Sequence, residues 1–185
     1  MCIPTLMLTL LYWIGRNNHV ESTRILGIDP GTIALGWGVI ESNGHNTRLL
    51  EFGVIRTAPK AELPVRLRTI FKDLQVVIDQ YRPNVMAVEE VFLGKNARSA
   101  LWIGHARAVA LLAAAEHGIS TAEYAPREVK MSVVGNGAAS KNQVKYMVGI
   151  ILGTQARIPQ DAADALAVAL CHCSRCTNLH LTHHR

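Results

Sequence analysis

The 185-residue chain contains few cysteines and few aromatic residues. Its four cysteines, Cys2, Cys171, Cys173 and Cys176, form no disulfide framework, which favours a reducing, cytoplasmic location. Aromatic residues make up 5% of the chain and apolar residues 49%, so Ala, Val, Ile and Leu must form the core. This composition excludes a disulfide-stabilised or disordered chain and favours one domain of helices packed on a sheet.

The chain also lacks an apolar run of membrane-spanning length at its N-terminus. Residues 2–14 are almost entirely apolar, but a spanning helix needs roughly 20 residues. No basic cluster or small-residue cleavage site marks a signal peptide. We therefore predict that residues 1–23 are an extension outside the fold, either disordered or the product of a translation start placed too far upstream. We expect a domain at 24–173, a C-terminal tail at 174–185 and no association with a membrane.

Acidic residues are outnumbered by basic ones, with a net charge of +5 and a pI near 9.2. The basic residues cluster between Lys95 and Arg157, around segments that also carry carboxylates. A basic cluster of this kind points to a polyanionic partner, although many modestly basic domains bind none.

Cysteine and histidine are concentrated near the C-terminus. The segment contains Cys171, His172, Cys173, Cys176, His180, His183 and His184. Thiolate and imidazole are the ligands that zinc prefers. The spacing matches no paired zinc module, however, and the last histidines fall in the predicted tail, so zinc remains the less favoured alternative.

The apolar periodicity predicts alternating strands and helices. The predicted strands are residues 24–28, 35–41, 47–57, 85–91 and 121–124. The predicted helices are residues 63–81, 96–117, a short one from 126 to 133, one opened by a Ser140 and Gln143 capping box, and a last one from 159 to 172. Short connections make the first three strands an antiparallel meander, and the 63–81 crossover allows the fourth strand to lie parallel to the first. The predicted fold class is α/β, with a five-stranded mixed sheet flanked by helices.

Four carboxylates fall where this fold would gather them. Asp29 ends the first strand and Glu89 the fourth, both at carboxyl ends, where open α/β sheets form their sites. Asp161 and Asp164 are three residues apart on the buried stripe of the last helix, about 4.5 Å apart along its axis. Such a cluster repels itself unless a cation neutralises it, so the sequence predicts a divalent metal site.

Each acid also has an ordinary structural interpretation. Asp29 before Pro30 is typical of a turn, Glu89 at a strand end can face solvent, and Asp161 and Asp164 suit a helix start. The metal-site interpretation is favoured because all three segments would otherwise meet at one sheet edge by coincidence.

Several motifs, in order, resemble one known family. They are residues 25–32 (ILGIDPGT), 87–92 (AVEEVF), 95–97 (KNA), 129–130 (VK), 133–135 (VVG), 141–144 (KNQV) and 161–167 (DAADALA). These motifs resemble the RuvC family of bacterial Holliday-junction resolvases over residues 24 to 172. The resemblance implies a ribonuclease H-like fold and a metal-dependent endonuclease. Such an enzyme makes paired symmetric nicks in four-way DNA junctions during recombination and repair, leaving 5′-phosphate ends.

The resemblance also implies roles for individual residues. Asp29, Glu89, Asp161 and Asp164 would be the catalytic and metal-binding acids, holding two Mg²⁺ ions per subunit, with Mn²⁺ as a possible substitute. The residues implied in DNA binding are Phe92, Lys95, Lys130 and Lys141. The implied partners are four-way junction DNA, a second copy of the chain in a homodimer, and the branch-migration proteins RuvA and RuvB. The Ala-rich helix around 106–115 is a candidate dimer surface, although its small residues equally suit close packing on the sheet.

Two other functions remain open. Residues 28–32 also resemble the first phosphate loop of actin-like ATPases, but the chain has no second such loop and is short for their two lobes. The other is a structure-specific DNA-binding module that keeps the fold without cleavage. The four intact acids argue against that module.

Overall fold

The computed structural model describes residues 22–44, 46–90 and 97–182, with side chains up to Cys176. The strands are β1 (Thr23–Asp29), β2 (Ala34–Ser42), β3 (Thr47–Arg56), β4 (Val85–Glu89) and β5 (Ser120–Tyr124). The helices are α1 (Leu63–Tyr81), α2 (Ala97–Glu116), α3 (Pro126–Val134), α4 (Lys141–Ile151) and α5 (Gln160–Thr182). The predicted extension lies outside the described residues, except for Ser22 and Thr23. None of the described helices combines the length and apolar character needed to cross a bilayer.

The five strands form one mixed sheet in the order β3-β2-β1-β4-β5. β1 pairs antiparallel with β2, and β2 with β3, as the short connections predict. β4 lies parallel to both β1 and β5, because α1 and α2 carry the chain back across the sheet before each parallel strand. The predicted fold class is confirmed.

Helices cover both faces of the sheet, and strand alternation determines which side chains meet them. Leu26 and Ile28 of β1 point towards α1 and α2, whereas Ile25 points towards α3, α4 and α5. The same alternation in β4 directs Val88 to the first layer and Ala87 to the second. Asp29, which ends β1, and Glu89, which ends β4, therefore have their side chains on the α5 face of the sheet.

α5 packs against β1 and β2 by main-chain contact. A Cβ added at Gly27 would overlap the carbonyl oxygen of Ala165, and one added at Gly36 would overlap that of Asp161. Glycine inside a strand permits this close approach. The first turn of α5 consequently lies directly against the centre of the sheet.

Two observations change details of the sequence interpretation. α5 continues to Thr182, ten residues beyond the predicted end at His172, and residues 173–182 contain no Gly or Pro that would stop it.

In α2, the small residues pack inside the subunit against α1 and the sheet: Ala106, Ala110, Ala113 and Ala114 are fully buried. The exposed large apolar residues of α2 are instead Leu101, Ile103 and Leu112, at 64%, 37% and 52% exposure.

Candidate active site

Asp29 and Glu89 lie side by side at the carboxyl ends of β1 and β4. The register pairs Ile28 with Val88, so the next residue of each strand projects from the same sheet edge. By alternation, both carboxylates face α5. They are close enough for a hydrogen bond between their side chains.

The first turn of α5 brings Asp161 and Asp164 to the same edge. Asp161 is fixed by the contact of its main chain with Gly36, which is the β2 partner of Asp29. Asp164 is held at both oxygens: Gln160 Nε2 donates to Oδ1 at 3.0 Å, and Lys141 Nζ donates to Oδ2 at 2.7 Å. The structure therefore brings together the four acids predicted from three separate segments.

The site carries more negative charge than its surroundings neutralise. The pKa of Asp29 is raised from 3.8 to about 7, chiefly by burial and then by the neighbouring carboxylates of Glu89, Asp164 and Asp161, while Lys141 opposes the rise. Burial, followed by repulsion from Asp164, also raises the pKa of Glu89. The surroundings of both carboxylates therefore disfavour their ionised forms, which a nearby cation would stabilise.

This donor set fits a divalent cation such as Mg²⁺, which takes carboxylate oxygens as ligands. Among the described residues, no three acidic, His or Cys side chains converge on one point as ligands of a single metal ion. The carboxyls of Asp29 and Glu89 lie within hydrogen-bonding reach of each other, and the Lys141 ammonium donates to Asp164. Lys141 thus places a positive charge beside the acids.

Two predicted DNA-binding lysines border the acids. Lys130 of α3 and Lys141 of α4 line one small cleft with Glu89 and Asp164. The Lys141 side chain remains 69% exposed although its ammonium reaches Asp164, so a phosphate can approach it from solvent. Phe92 and Lys95, the other two predicted DNA-binding residues, lie outside the described residues.

Sequence reasoning missed three residues that support the site. The sequence pattern places Gly36 in a strand, and a glycine inside a strand is the signal of close backbone approach that would have identified it. Gln160, which holds Asp164, gave no signal of its own. Arg66 of α1 is only 7% exposed and donates from Nη1 to Thr32 Oγ1 at 3.3 Å, with its guanidinium carbon 4.8 Å from the Trp102 ring centroid. Arg66 therefore braces the loop that follows Asp29.

Comparison with known proteins identifies one family. The family model described as crossover junction endodeoxyribonuclease RuvC matches residues 25–172. The chain is 52% identical over 151 residues to the curated protein of that name from Dehalococcoides mccartyi, covering 80% of this chain and 91% of the relative. It is 48% identical over 149 residues to the protein from Desulforamulus reducens, with the same coverage.

Solved structures show the same similarity. The structure of Thermus thermophilus RuvC in complex with a Holliday junction substrate superposes with a TM-score of 0.79 at 37% identity, covering 84% of this chain and 96% of that one. The yeast mitochondrial Holliday junction resolvase Ydc2 superposes with a TM-score of 0.61 over 85% of this chain and 81% of that one. Its 13% identity shows a similarity of fold alone.

Proposed function

The chain belongs to the RuvC family of crossover junction endodeoxyribonucleases, and we propose that it resolves Holliday junctions by metal-dependent cleavage of DNA. The observation that carries this proposal is the gathering of Asp29, Glu89, Asp161 and Asp164 at one sheet edge beside two lysines. The substrate is a four-way junction formed in recombination and repair. The products are paired symmetric nicks with 5′-phosphate ends.

The four acids hold the metal in this proposal. Two Mg²⁺ ions held by these acids, for which Mn²⁺ could substitute, would supply a water nucleophile at neutral pH and would stabilise the leaving 3′-oxygen. Asp29 and Glu89 would be ligands from the two strands. Asp164 would be a ligand from α5 in place of its contact with the Lys141 ammonium, while Gln160 Nε2 orients its other oxygen. Burial and mutual repulsion disfavour the ionised forms of Asp29 and Glu89, so a cation beside them would stabilise both carboxylates.

Lys141, once released from Asp164, and Lys130 beside Glu89 are placed to bind the phosphates that flank the cleaved bond. Phe92 and Lys95 are proposed DNA contacts on the sequence motif alone. Phosphate contacts supply affinity that falls with salt and carries no base specificity. Selectivity for a junction therefore comes from its shape.

Symmetric cleavage needs two active sites related by a twofold axis, so we propose a homodimer. The exposed face of α2 with Leu101 and Leu112 supports that helix as the contact surface, in place of its buried alanines. Size-exclusion chromatography with light scattering tests the assembly: a Leu101→Glu, Leu112→Glu variant should be monomeric, and a persisting dimer would place the interface elsewhere. A cytoplasmic location and RuvA and RuvB as partners complete the proposal.

The domain boundaries belong to the proposal too. The nuclease domain spans residues 24–173, and the extension before it and the tail after it contribute nothing to cleavage. Deleting residues 1–22 should leave junction cleavage and dimerisation unchanged. A loss of folding in the deletion variant would show that the apolar segment packs on the domain.

The decisive experiment incubates the purified protein with a synthetic four-way junction or a matched linear duplex, with Mg²⁺ or with EDTA. Paired nicks at symmetric positions, only in the junction and only with Mg²⁺, support the proposal. Binding to the junction without nicks would favour the non-catalytic module. Equal binding and equal cleavage of the junction and the linear duplex would contradict both the resolvase and the junction-binding module.

A matched pair of variants separates metal binding from DNA binding. Asp29→Asn should abolish cleavage and leave junction affinity nearly unchanged, because the acids bind metal while the lysines bind phosphate. Asp79→Asn makes the same chemical change at a side chain that is 75% exposed at the far end of α1, and it should cleave normally. Loss of junction binding in Asp29→Asn alone would contradict this division of roles.

A further inference from the structure

Arg66 places a buried positive charge in the first turn of α1. The residue is only 7% exposed, and its Nε is buried without a hydrogen-bond partner within residues 22–44, 46–90 and 97–176. No carboxylate in these ranges forms an ion pair with its guanidinium. Burying a charge without such a partner is unfavourable, and an apolar side chain of similar volume usually suits a buried position better. Folding stability alone therefore does not explain an arginine here.

The contacts of the Arg66 guanidinium join two separate parts of the structure. Nη1 donates to Thr32 Oγ1 at 3.3 Å, and Thr32, itself 7% exposed, follows Asp29 by three residues. The guanidinium carbon lies 4.8 Å from the centroid of the Trp102 ring, which is a cation–π distance. Trp102 belongs to the second turn of α2. Arg66 therefore links the loop after Asp29 to α2.

The main chain of the same loop is fixed by the residue that follows β3. Thr57 Oγ1 donates to the main-chain oxygen of Thr32 at 2.7 Å, and Thr57 N donates to that of Ile33 at 2.9 Å. Arg66 holds the Thr32 side chain from the helices on the face of the sheet opposite α5. The position of the loop that begins at Asp29 is thus determined from two directions.

Sequence order connects α2 to the residues proposed to contact DNA. The helix begins at Ala97, two residues after Lys95 and five after Phe92. The helix that follows these two residues is therefore joined, through Arg66, to the loop at the end of β1. A change in the Arg66 contacts would alter how the catalytic edge of the sheet is placed relative to α2.

We propose that Arg66 is a positioning residue, which fixes the loop after Asp29 relative to α2 and so aligns the Asp29 carboxylate with the bound junction. This inference rests on the proposed cleavage of junctions, and it assigns Arg66 no contact with DNA or metal. A displacement of about 1 Å can cost about 10²-fold in rate. The lysines proposed to bind phosphate, Lys130 and Lys141, lie elsewhere, so the loss of Arg66 should lower kcat and leave junction affinity unchanged.

The first test replaces Arg66 with Met, which occupies a similar volume without the charge or the donors. Arg66→Met should slow single-turnover cleavage at least tenfold, while its junction affinity without Mg²⁺ stays within twofold of the wild type. Its urea midpoint should not fall, because an unpaired buried charge has been removed. Arg68→Met makes the same chemical change at an exposed position two residues further along α1, and it should match the wild type in all three measurements.

A second pair of variants tests the contact with Thr32 while the buried charge is retained. Thr32→Ser keeps the hydroxyl acceptor and should retain most of the cleavage rate. Thr32→Val has a similar shape without the acceptor, and it should slow cleavage about as much as Arg66→Met. The double variant Arg66→Met, Thr32→Val should be no slower than the slower single variant, because both changes remove one contact.

Equal cleavage rates of Arg66→Met and Arg68→Met would overturn the proposal, as would equal rates of Thr32→Val and Thr32→Ser or rate losses that multiply in the double variant. A lower urea midpoint with an unchanged rate would show a purely structural role and would also overturn it. If Arg66→Met does not fold, the Thr32 pair decides by the same criterion. A wild type that cuts no junction would contradict the proposed function and this inference with it, whereas an active wild type with equal variants would contradict this inference alone.

Discussion

Replacing Asp29 with Asn should stabilise the metal-free protein, and the gain should depend on pH. The folded-state pKa of Asp29 is about 7, against 3.8 ordinarily, so the folded protein holds a proton that the unfolded chain releases. Stability is therefore lost as the pH rises from 3.8 to 7, and the full penalty is present above 7. At 1.36 kcal/mol per pH unit, the penalty reaches about 4 kcal/mol at pH 8 and about 2 kcal/mol at pH 5.

Asn removes this penalty without removing the local contact, because its amide can still donate to Glu89. Urea unfolding in EDTA measures the difference. With an m-value of about 2 kcal/mol/M, the midpoint of Asp29→Asn should rise by up to about 2 M at pH 8 and by about half as much at pH 5. Saturating Mg²⁺ should reduce or reverse the stability advantage of Asp29→Asn over the wild type. Mg²⁺ stabilises a folded protein that binds it, and the wild type should bind it more tightly than Asp29→Asn.

Asp73→Asn makes the same chemical change at an exposed position of α1, and its unfolding midpoint should match the wild type at both pH values. The reasoning would be refuted by an Asp29→Asn gain that is the same at pH 5 and pH 8, or by destabilisation at both. Either result would mean that the Asp29 carboxylate is already compensated in the folded protein.

Three further predictions follow from contacts around the site. Gly36→Ala places a Cβ against the Asp161 carbonyl, and a shift of α5 by about 1 Å should lower kcat by about 10²-fold; Gly104→Ala, where a Cβ meets nothing within 4 Å, should cleave normally, and equal activity of the two variants would contradict the argument. Ser140→Ala removes the capping box of α4 and should cost about 1 kcal/mol in urea unfolding; Asn142→Ala, two residues on, should cost less. Lys141→Met should weaken junction binding and reduce the slope of log affinity against log salt by about one, and an unchanged slope would mean that Lys141 does not contact phosphate.

Much of the fold could be predicted because local signals end each element clearly. The Arg82-Pro83 pair predicts the end of α1 where it is observed, with Arg82 in the left-handed region at φ 47°. The capping box at Ser140 formed as expected, with Gln143 Oε1 accepting from Ser140 N at 2.8 Å. These features depend only on neighbouring residues, which the sequence displays directly.

The site could be predicted in part. Strand alternation and helix spacing placed the four acids, but the partners of Asp164 could not be read from the sequence. Lys141 is 23 residues away in the chain, and its contact depends on how α4 packs on α5. The glycines of β1 and β2 were visible, yet only the folded structure shows that they face the main chain of α5.

The glycine contacts between α5 and the sheet also bear on how the enzyme can evolve. Because Gly27 and Gly36 meet carbonyl oxygens of α5, the separation between the strand-borne and helix-borne acids depends on backbone thickness and not on the size of core side chains. A lineage can therefore exchange core residues such as Leu166 or Val168 at a cost in stability while the separation of the strand-borne and helix-borne acids stays the same. In the proposed metal site, a different separation of the carboxylates would require longer or shorter side chains at the acids themselves.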